Sequence, residues 1–287
     1  MTADALAGAP FLLGTHHPGW LARVGVPLFV SDRRLRGYRR LPVARAAWAV
    51  DSGGFTELQQ YGAWTTAPGE YVTRLRRYRD EIGHLAWAAP QDWMCEPVVI
   101  CGGRVGPIRF AGTGLSVAEH QARTITNYRQ LRDLAPDLPI IPVVQGWTVA
   151  EYLRCVDGYD RAGVDLRAVP LVGVGSVCRR QNTDQAREIL TALHGAGLTR
   201  LHGFGFKTTG LSLCAPLLVS ADSMAWSVHA RRRPPMPGCT RHRNCANCPR
   251  YALTWRDQVL AVIARAHLAG QQLALPLTDS MIGDTLP

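Results

Sequence analysis

Eight short apolar runs, each closed by a turn, limit the fold of this chain more than any other feature. They are Phe11–Gly14, Pro27–Val30, Ala46–Val50, Leu85–Ala88, Ile140–Gln145, Pro170–Val174, Leu201–Phe206 and Leu218–Asp222. Runs of this length without polar alternation suit buried strands. Stretches with apolar residues at helical spacing lie between them: Tyr71–Ile82, Val117–Leu134, Val149–Ala162 and Ala186–Leu193. Ser116, Thr148 and Thr183 stand where N-caps belong, and Glu119 and Glu151 follow the first two by three positions, the capping-box spacing. Gly197 suits a C-cap. Strands alternating with helices predict the α/β class, and eight of them a (β/α)8 TIM barrel over residues 1–230 rather than an open sheet. The first two repeats are irregular, with no well-defined helix between Val30 and Ala46.

Polar groups sit at the carboxyl ends of these runs, where a barrel gathers its chemistry. The third run leads into Asp51-Ser52-Gly53-Gly54-Phe55, whose glycine pair lets the backbone turn closely around a ligand. Asp92 follows the fourth run and Gln145 ends the fifth. Gly173-Val174-Gly175 closes the sixth, Lys207 follows the seventh, and Asp222-Ser223 ends the eighth. One such residue is ordinary loop composition. A polar group at the end of most later strands is a converging set, and two carboxylates in it can serve as nucleophile and general acid/base.

These segments, in this order, resemble the tRNA-guanine transglycosylase superfamily, whose members exchange a guanine base for a 7-deazaguanine. The likeness runs from residue 46 to about residue 248. It implies Asp222 as the nucleophile, holding the sugar covalently while bases exchange, and Asp51 as the acid/base. It implies that Ser52, Gly53, Asp92, Gln145 and the Gly173–Val174–Gly175 backbone bind a guanine-like heterocycle. Asp92 can accept hydrogen bonds from guanine N1–H and the exocyclic amine, and Gln145 can donate one to O6. Within the superfamily the chain is most similar to the branch that places deazapurines in DNA. The compact length, with no room after the last helix for an RNA-binding domain, and the Asp-Ser nucleophile segment lean that way. The expected partners are DNA and a preQ0-like 7-deazaguanine base, with a second copy of the chain as a further candidate. Exchange in tRNA is the alternative. A zinc-containing nucleic-acid-binding barrel without turnover is another, and the pair Asp51 and Asp222 argues against it.

Cysteine spacing adds a metal expectation. Cys239, His242, Cys245 and Cys248 follow one another at intervals of three. Three thiols and an imidazole so close suit a closed, structural Zn2+ site in a segment spanning residues 231–287. The superfamily's pattern has a shorter first gap and a histidine further downstream, so His267 is the rival fourth ligand. A continuous helix from Tyr251 would carry His267 roughly 24 Å away at about 1.5 Å per residue, which favours His242. The other five cysteines, Cys95, Cys101, Cys155, Cys178 and Cys214, are scattered.

The formal charge of +10 comes almost wholly from arginine, since Lys207 is the only lysine. Arginine binds phosphate bidentately, so nucleic acid is the expected polymer. Arg231, Arg232 and Arg233, with Lys207, are the expected backbone contacts. A second arginine run, Arg33 to Arg40, precedes the third strand. No apolar stretch is long enough to span a bilayer, and the first ten residues lack a signal-peptide pattern. A cytoplasmic protein without membrane contact is expected.

Overall fold

A computed structural model of the chain describes residues 9–177 and 184–274, with side chains to residue 270. The expected cap Thr183 and Cys178 lie outside the described residues. The parallel barrel strands are β1 (Phe11–Thr15), β2 (Leu28–Ser31), β3 (Trp48–Asp51), β4 (Leu85–Ala88), β7 (Val143–Val144), β8 (Val172–Val174), β9 (Leu201–Gly203) and β10 (Ser220–Ser223). A two-stranded antiparallel hairpin, β5 (Gly103–Val105) and β6 (Ile108–Phe110), stands apart from them. The helices are α1 (Asp32–Leu35), α2 (Gly54–Tyr61), α3 (Pro68–Ile82), α4 (Pro97–Cys101), α5 (Val117–Leu134), α6 (Val149–Arg161), α7 (Asp184–Gly195), α8 (Thr208–Cys214), α9 (Ala225–Arg231) and α10 (Pro249–Ala274).

The large sheet runs β4-β3-β2-β1-β10-β9-β8-β7, parallel throughout. Its two edges meet: Ala88 bridges Ile140, with Ala88 N–H donating to Pro139 O at 3.0 Å and Ile141 N–H to Ala88 O at 3.1 Å. The sheet therefore curls into the expected barrel. Pro139 and Pro142 lack N–H groups, which leaves β7 only two residues long.

Side chains alternate across the barrel wall with the two-residue strand period. Phe11, Leu13, Leu28, Val30, Trp48 and Val50 face the helices. Leu12, Phe29, Ala49, Trp87, Ile141 and Leu171 fill the interior. Asp51 lies two residues beyond Ala49, and Asp222 is in register with Leu12, so both carboxylates belong to the inward set.

Both predicted capping boxes form. Ser116 and Thr148 accept from the backbone N–H of Glu119 and Glu151, whose carboxylates reach back to the cap N–H groups. Gly197 takes φ +89 just past α7 and donates to His194 O at 2.8 Å. Only a short 3-10 turn separates β1 from β2, and the four-residue α1 separates β2 from β3, which accounts for the irregular early pattern. The shortage is made up by α10: its Ala252, Trp255, Val259, Ile263 and Ala266 join the same core as Phe11 and Leu13. Phe11 and Trp255 meet edge to face at 5.8 Å.

Candidate active site and metal centre

Asp51 is the last residue of β3, and its cross-strand partner on β2 is Ser31. Its Oδ1 accepts from Gly53 N–H at 3.0 Å. Gly53 has φ +85, and a Cβ there would meet Arg33 Cγ at 2.8 Å and Ser31 Oγ at 3.2 Å. Both the turn and the crowding demand glycine. Burial raises the pKa of Asp51, hydrogen bonds from Gly53 and Ser31 oppose the shift, and the charges of Asp222 and Asp32 add to it. A carboxyl raised in this way is suited to carry a proton.

Asp92 lies in the loop after β4. Burial pushes its pKa up to about 7, against a hydrogen bond from Gln145 and with the charges of Asp51 and Glu96 reinforcing the shift. Gln145 Nε2 donates to Asp92 Oδ2. The other end of that amide, Oε1, lies 2.6 Å from Ser176 Oγ, which also touches Glu96 Oε2 at 2.9 Å and accepts from Cys95 N–H at 2.8 Å. One hydroxyl fixes which way the Gln145 amide points. Ser176 takes a positive φ of 56° to do so, a strained conformation of the kind that collects at functional sites.

Gly173, Val174 and Gly175 form the end of β8 beside this pair. A Cβ on Gly175 would lie 2.2 Å from Gln145 Nε2, so the glycine makes room for the amide. Gly175 N–H donates to Val144 O at 3.0 Å, and its carbonyl accepts from Tyr152 Oη at 2.5 Å. Val174 O accepts from Phe204 N–H at 3.4 Å. The carbonyls keep a second lone pair for a ligand; the Gly175 N–H is committed to the sheet.

Asp222 is buried on β10. Its Oδ1 accepts from Gly205 N–H at 3.0 Å and lies 3.3 Å from His202 Nε2. His202 Nδ1 is 2.8 Å from Ser220 Oγ. The imidazole is fully buried within the inner layer, edge-on to Trp87 at 4.7 Å and to Phe204 at 4.9 Å. Sequence reasoning missed His202, Glu96 and Ser31, and it assigned no role to Ser176, which follows Gly175 at the end of the sixth run. One signal was present for His202: a polar residue inside the apolar run Leu201–Phe206.

The four sequence-predicted metal ligands come together. One donor atom each from Cys239, His242, Cys245 and Cys248 lies within 4.8 Å of the others, and His242 Nε2 is 3.2 Å from Cys245 Sγ. Tetrahedral ligands around a zinc-sized ion stand about 3.5–3.8 Å apart, so a small contraction suffices. Burial, then hydrogen bonding with Cys245 and Cys248, raises the Cys239 thiol pKa. The cluster can hold a metal ion. His267 belongs to the uninterrupted α10 and is outside it.

This knuckle is tied to the barrel mouth. Asn247 Oδ1 lies 3.0 Å from Nε2 of both His16 and His17, which follow β1. His16 Nδ1 lies 3.1 Å from Sδ of Met224, two residues past Asp222. Burial and the positive neighbours His17, Arg34 and Arg231 hold the His16 pKa down, against the hydrogen bond to Asn247. Arg231, Arg232 and Arg233 are exposed at the end of α9, and Lys207 is exposed at the start of α8. Arg33 and Arg36 instead turn to the buried Glu57, at 2.7 and 3.6 Å, so those two members of the early run are tied into the fold.

No helix among the described residues is long and apolar enough to cross a membrane. No curated protein matches the chain closely enough to count as a relative. A family profile does: DpdA, described as DeoxyPurine in DNA protein A, matches residues 8–279. With the inward carboxylates at the strand ends, the Gln145–Asp92 pair and the Cys/His knuckle already in place, this near-complete match means that the chain belongs to the DpdA family, a tRNA-guanine transglycosylase-like family of DNA deazapurine modification.

Proposed function

We propose that this protein exchanges guanine in DNA for a 7-deazaguanine base through a covalent Asp222–sugar intermediate. The observation that carries the reading is the gathering of Asp51, Asp92 and Asp222 at one end of the barrel, with the first two raised in pKa. Three neighbouring carboxylates cannot all ionise freely, so the protonation states divide and roles divide with them.

A carboxylate oxygen of Asp222 attacks C1′, and the C1′–N9 bond breaks. The electron pair stays on N9, and Asp51 delivers its proton to the departing guanine. The incoming base then loses its N9 proton to Asp51 as N9 attacks C1′ and displaces the Asp222 carboxylate. Two inversions restore the original configuration. Asp92, ionised, accepts from N1–H and the exocyclic amine of either base, while Gln145 offers its second Nε2–H to O6. Cys239, His242, Cys245 and Cys248 would hold a structural zinc ion, and Asn247, between two of these ligands in the chain, bonds His16 and His17 at the mouth. Arg231, Arg232, Arg233 and Lys207 contact the DNA backbone.

The test of this reading is a denaturing gel of protein incubated with a guanine-containing oligodeoxynucleotide and no incoming base. A slow-migrating covalent species that disappears when a 7-deazaguanine is added supports it. Release of guanine without any adduct speaks for a different route. An adduct that forms only with tRNA moves the substrate to RNA.

The raised pKa of Asp92 gives a pH prediction. Ionised Asp92 can accept both guanine-edge donors, and protonated Asp92 cannot. With the free-enzyme value near 7, kcat/KM for the incoming base falls by about tenfold per unit as pH drops below 7. Asp92→Asn should weaken base use at every pH and flatten this limb. A wild-type profile level from pH 5.5 to 8 contradicts the assignment.

A further inference from the structure

The hairpin β5–β6 has no part in the chemistry described above, yet it stands at the mouth. It lies in the connection that leaves the carboxyl end of β4, after Asp92. Its root is built on the two loops that hold the acids. Phe110 is buried with Leu58, Trp93 and Val99 and meets Phe55 edge to face at 5.7 Å. Phe55 ends the Asp51 turn segment, and Trp93 follows Asp92. Ala111 N–H donates to Gln59 O at 2.9 Å, and the Gln59 amide donates back to Arg109 O.

The outer part has an unusual surface. Val105 and Ile108 are direct cross-strand partners and are 45% and 41% exposed. Arg104 and Arg109 are the next pair and are also exposed. The strand period puts the two pairs on opposite faces, one apolar and one basic. Like charges directly across a ladder repel. Among the described residues no ion pair involves either arginine. An anion seated between them relieves that repulsion. Strands of three residues gain little stability from pairing alone, so the buried root is what holds the ribbon out.

We propose that the hairpin Gly103–Phe110 inserts into double-stranded DNA beside the target guanine, Val105 and Ile108 entering the stack the base has left and Arg104 and Arg109 holding the flanking phosphates. A base inside a duplex cannot reach a barrel pocket until it leaves the stack. Proteins that unstack DNA insert apolar wedges flanked by basic side chains, and a two-stranded ribbon is narrow enough to enter a groove. The identity of the target rests on the base-exchange reading; the insertion is tested without exchange.

The experiment places 2-aminopurine next to the target guanine in a duplex and follows its fluorescence as protein binds, with no incoming base. Wild type should raise the signal several-fold. Val105→Ser/Ile108→Ser should bind within about threefold of wild type yet lose most of the rise, because backbone contacts supply affinity and the wedge supplies unstacking. Arg104→Gln/Arg109→Gln should bind about tenfold more weakly and lower the slope of log K against log salt by about 2. Exchange of labelled base by the serine variant should fall on a paired duplex and stay near wild type on a bubble that leaves the guanine unpaired. A serine variant that unstacks like wild type overturns the proposal. So does a wild type that binds without unstacking, or a variant whose only change is weaker self-association in sedimentation. Failure of the base-exchange reading looks different: unstacking persists while no labelled base enters any DNA.

Discussion

Asp222→Asn should lower exchange by about four orders of magnitude or more, the scale seen when a covalent nucleophile is removed, while DNA binding stays near wild type. The amide is isosteric. Its oxygen can still accept from Gly205 N–H and face His202, so the fold around β10 should survive and circular dichroism should be unchanged. An amide oxygen is a poor nucleophile toward C1′, so the covalent species should vanish with activity. Asp51→Asn should fail differently. The nucleophile remains, but no group delivers a proton to the leaving guanine, so both half-reactions slow and some adduct can still accumulate. Equal failure of both variants in adduct formation, or undiminished exchange by Asp222→Asn, rejects the division of roles.

The metal carries the other large effect. Purified protein should contain about one zinc per chain. Cys245→Ser should lose it and leave the protein largely insoluble. Binding of structural zinc is worth about 10 kcal/mol or more, against a total domain stability of about 5–15 kcal/mol. Cys245 is fully buried in a small cluster with Ala230, Ala246 and Cys248, so its loss opens the centre of the knuckle. The loss should reach the active site. Asn247 sits between two ligands, and without the knuckle His16 and His17 lose their shared partner. His267→Ala should keep its zinc and His242→Ala should lose it. Full zinc retention in Cys245→Ser contradicts the ligand set.

The barrel was readable in the sequence because strands buried on both faces leave unbroken apolar runs, and all eight runs coincide with strands. Helices α5 and α6 were readable because Ser116 and Thr148 pair with glutamates three residues on. Less regular parts left weaker marks. The run Ile140–Gln145 reads as a full strand, but Pro142 within it and Pro139 just before it confine pairing to two residues and one bridge. The hairpin Gly103–Phe110 has three-residue strands, too short for an alternation to register. Helix α2 begins inside the glycine turn, where glycine signals a break rather than a start. In the site, Asp51, Asp92, Gln145 and Asp222 stood out because polar residues at strand ends are visible along the chain. Their supports did not. Ser176 meets Gln145 and Glu96 across 31 and 80 positions, and His202 meets Asp222 across 20. Such contacts exist only once the barrel has closed.

The most direct test of base exchange in DNA is nucleoside mass spectrometry of a defined duplex incubated with wild-type protein and a preQ0-like 7-deazaguanine, beside tRNA treated identically. The 7-deazaguanine deoxynucleoside should appear in the DNA in step with free guanine, mole for mole, and not in the tRNA. Protein that holds its zinc and binds the duplex, yet yields neither the modified deoxynucleoside nor free guanine across the 7-deazaguanine bases, would contradict the account.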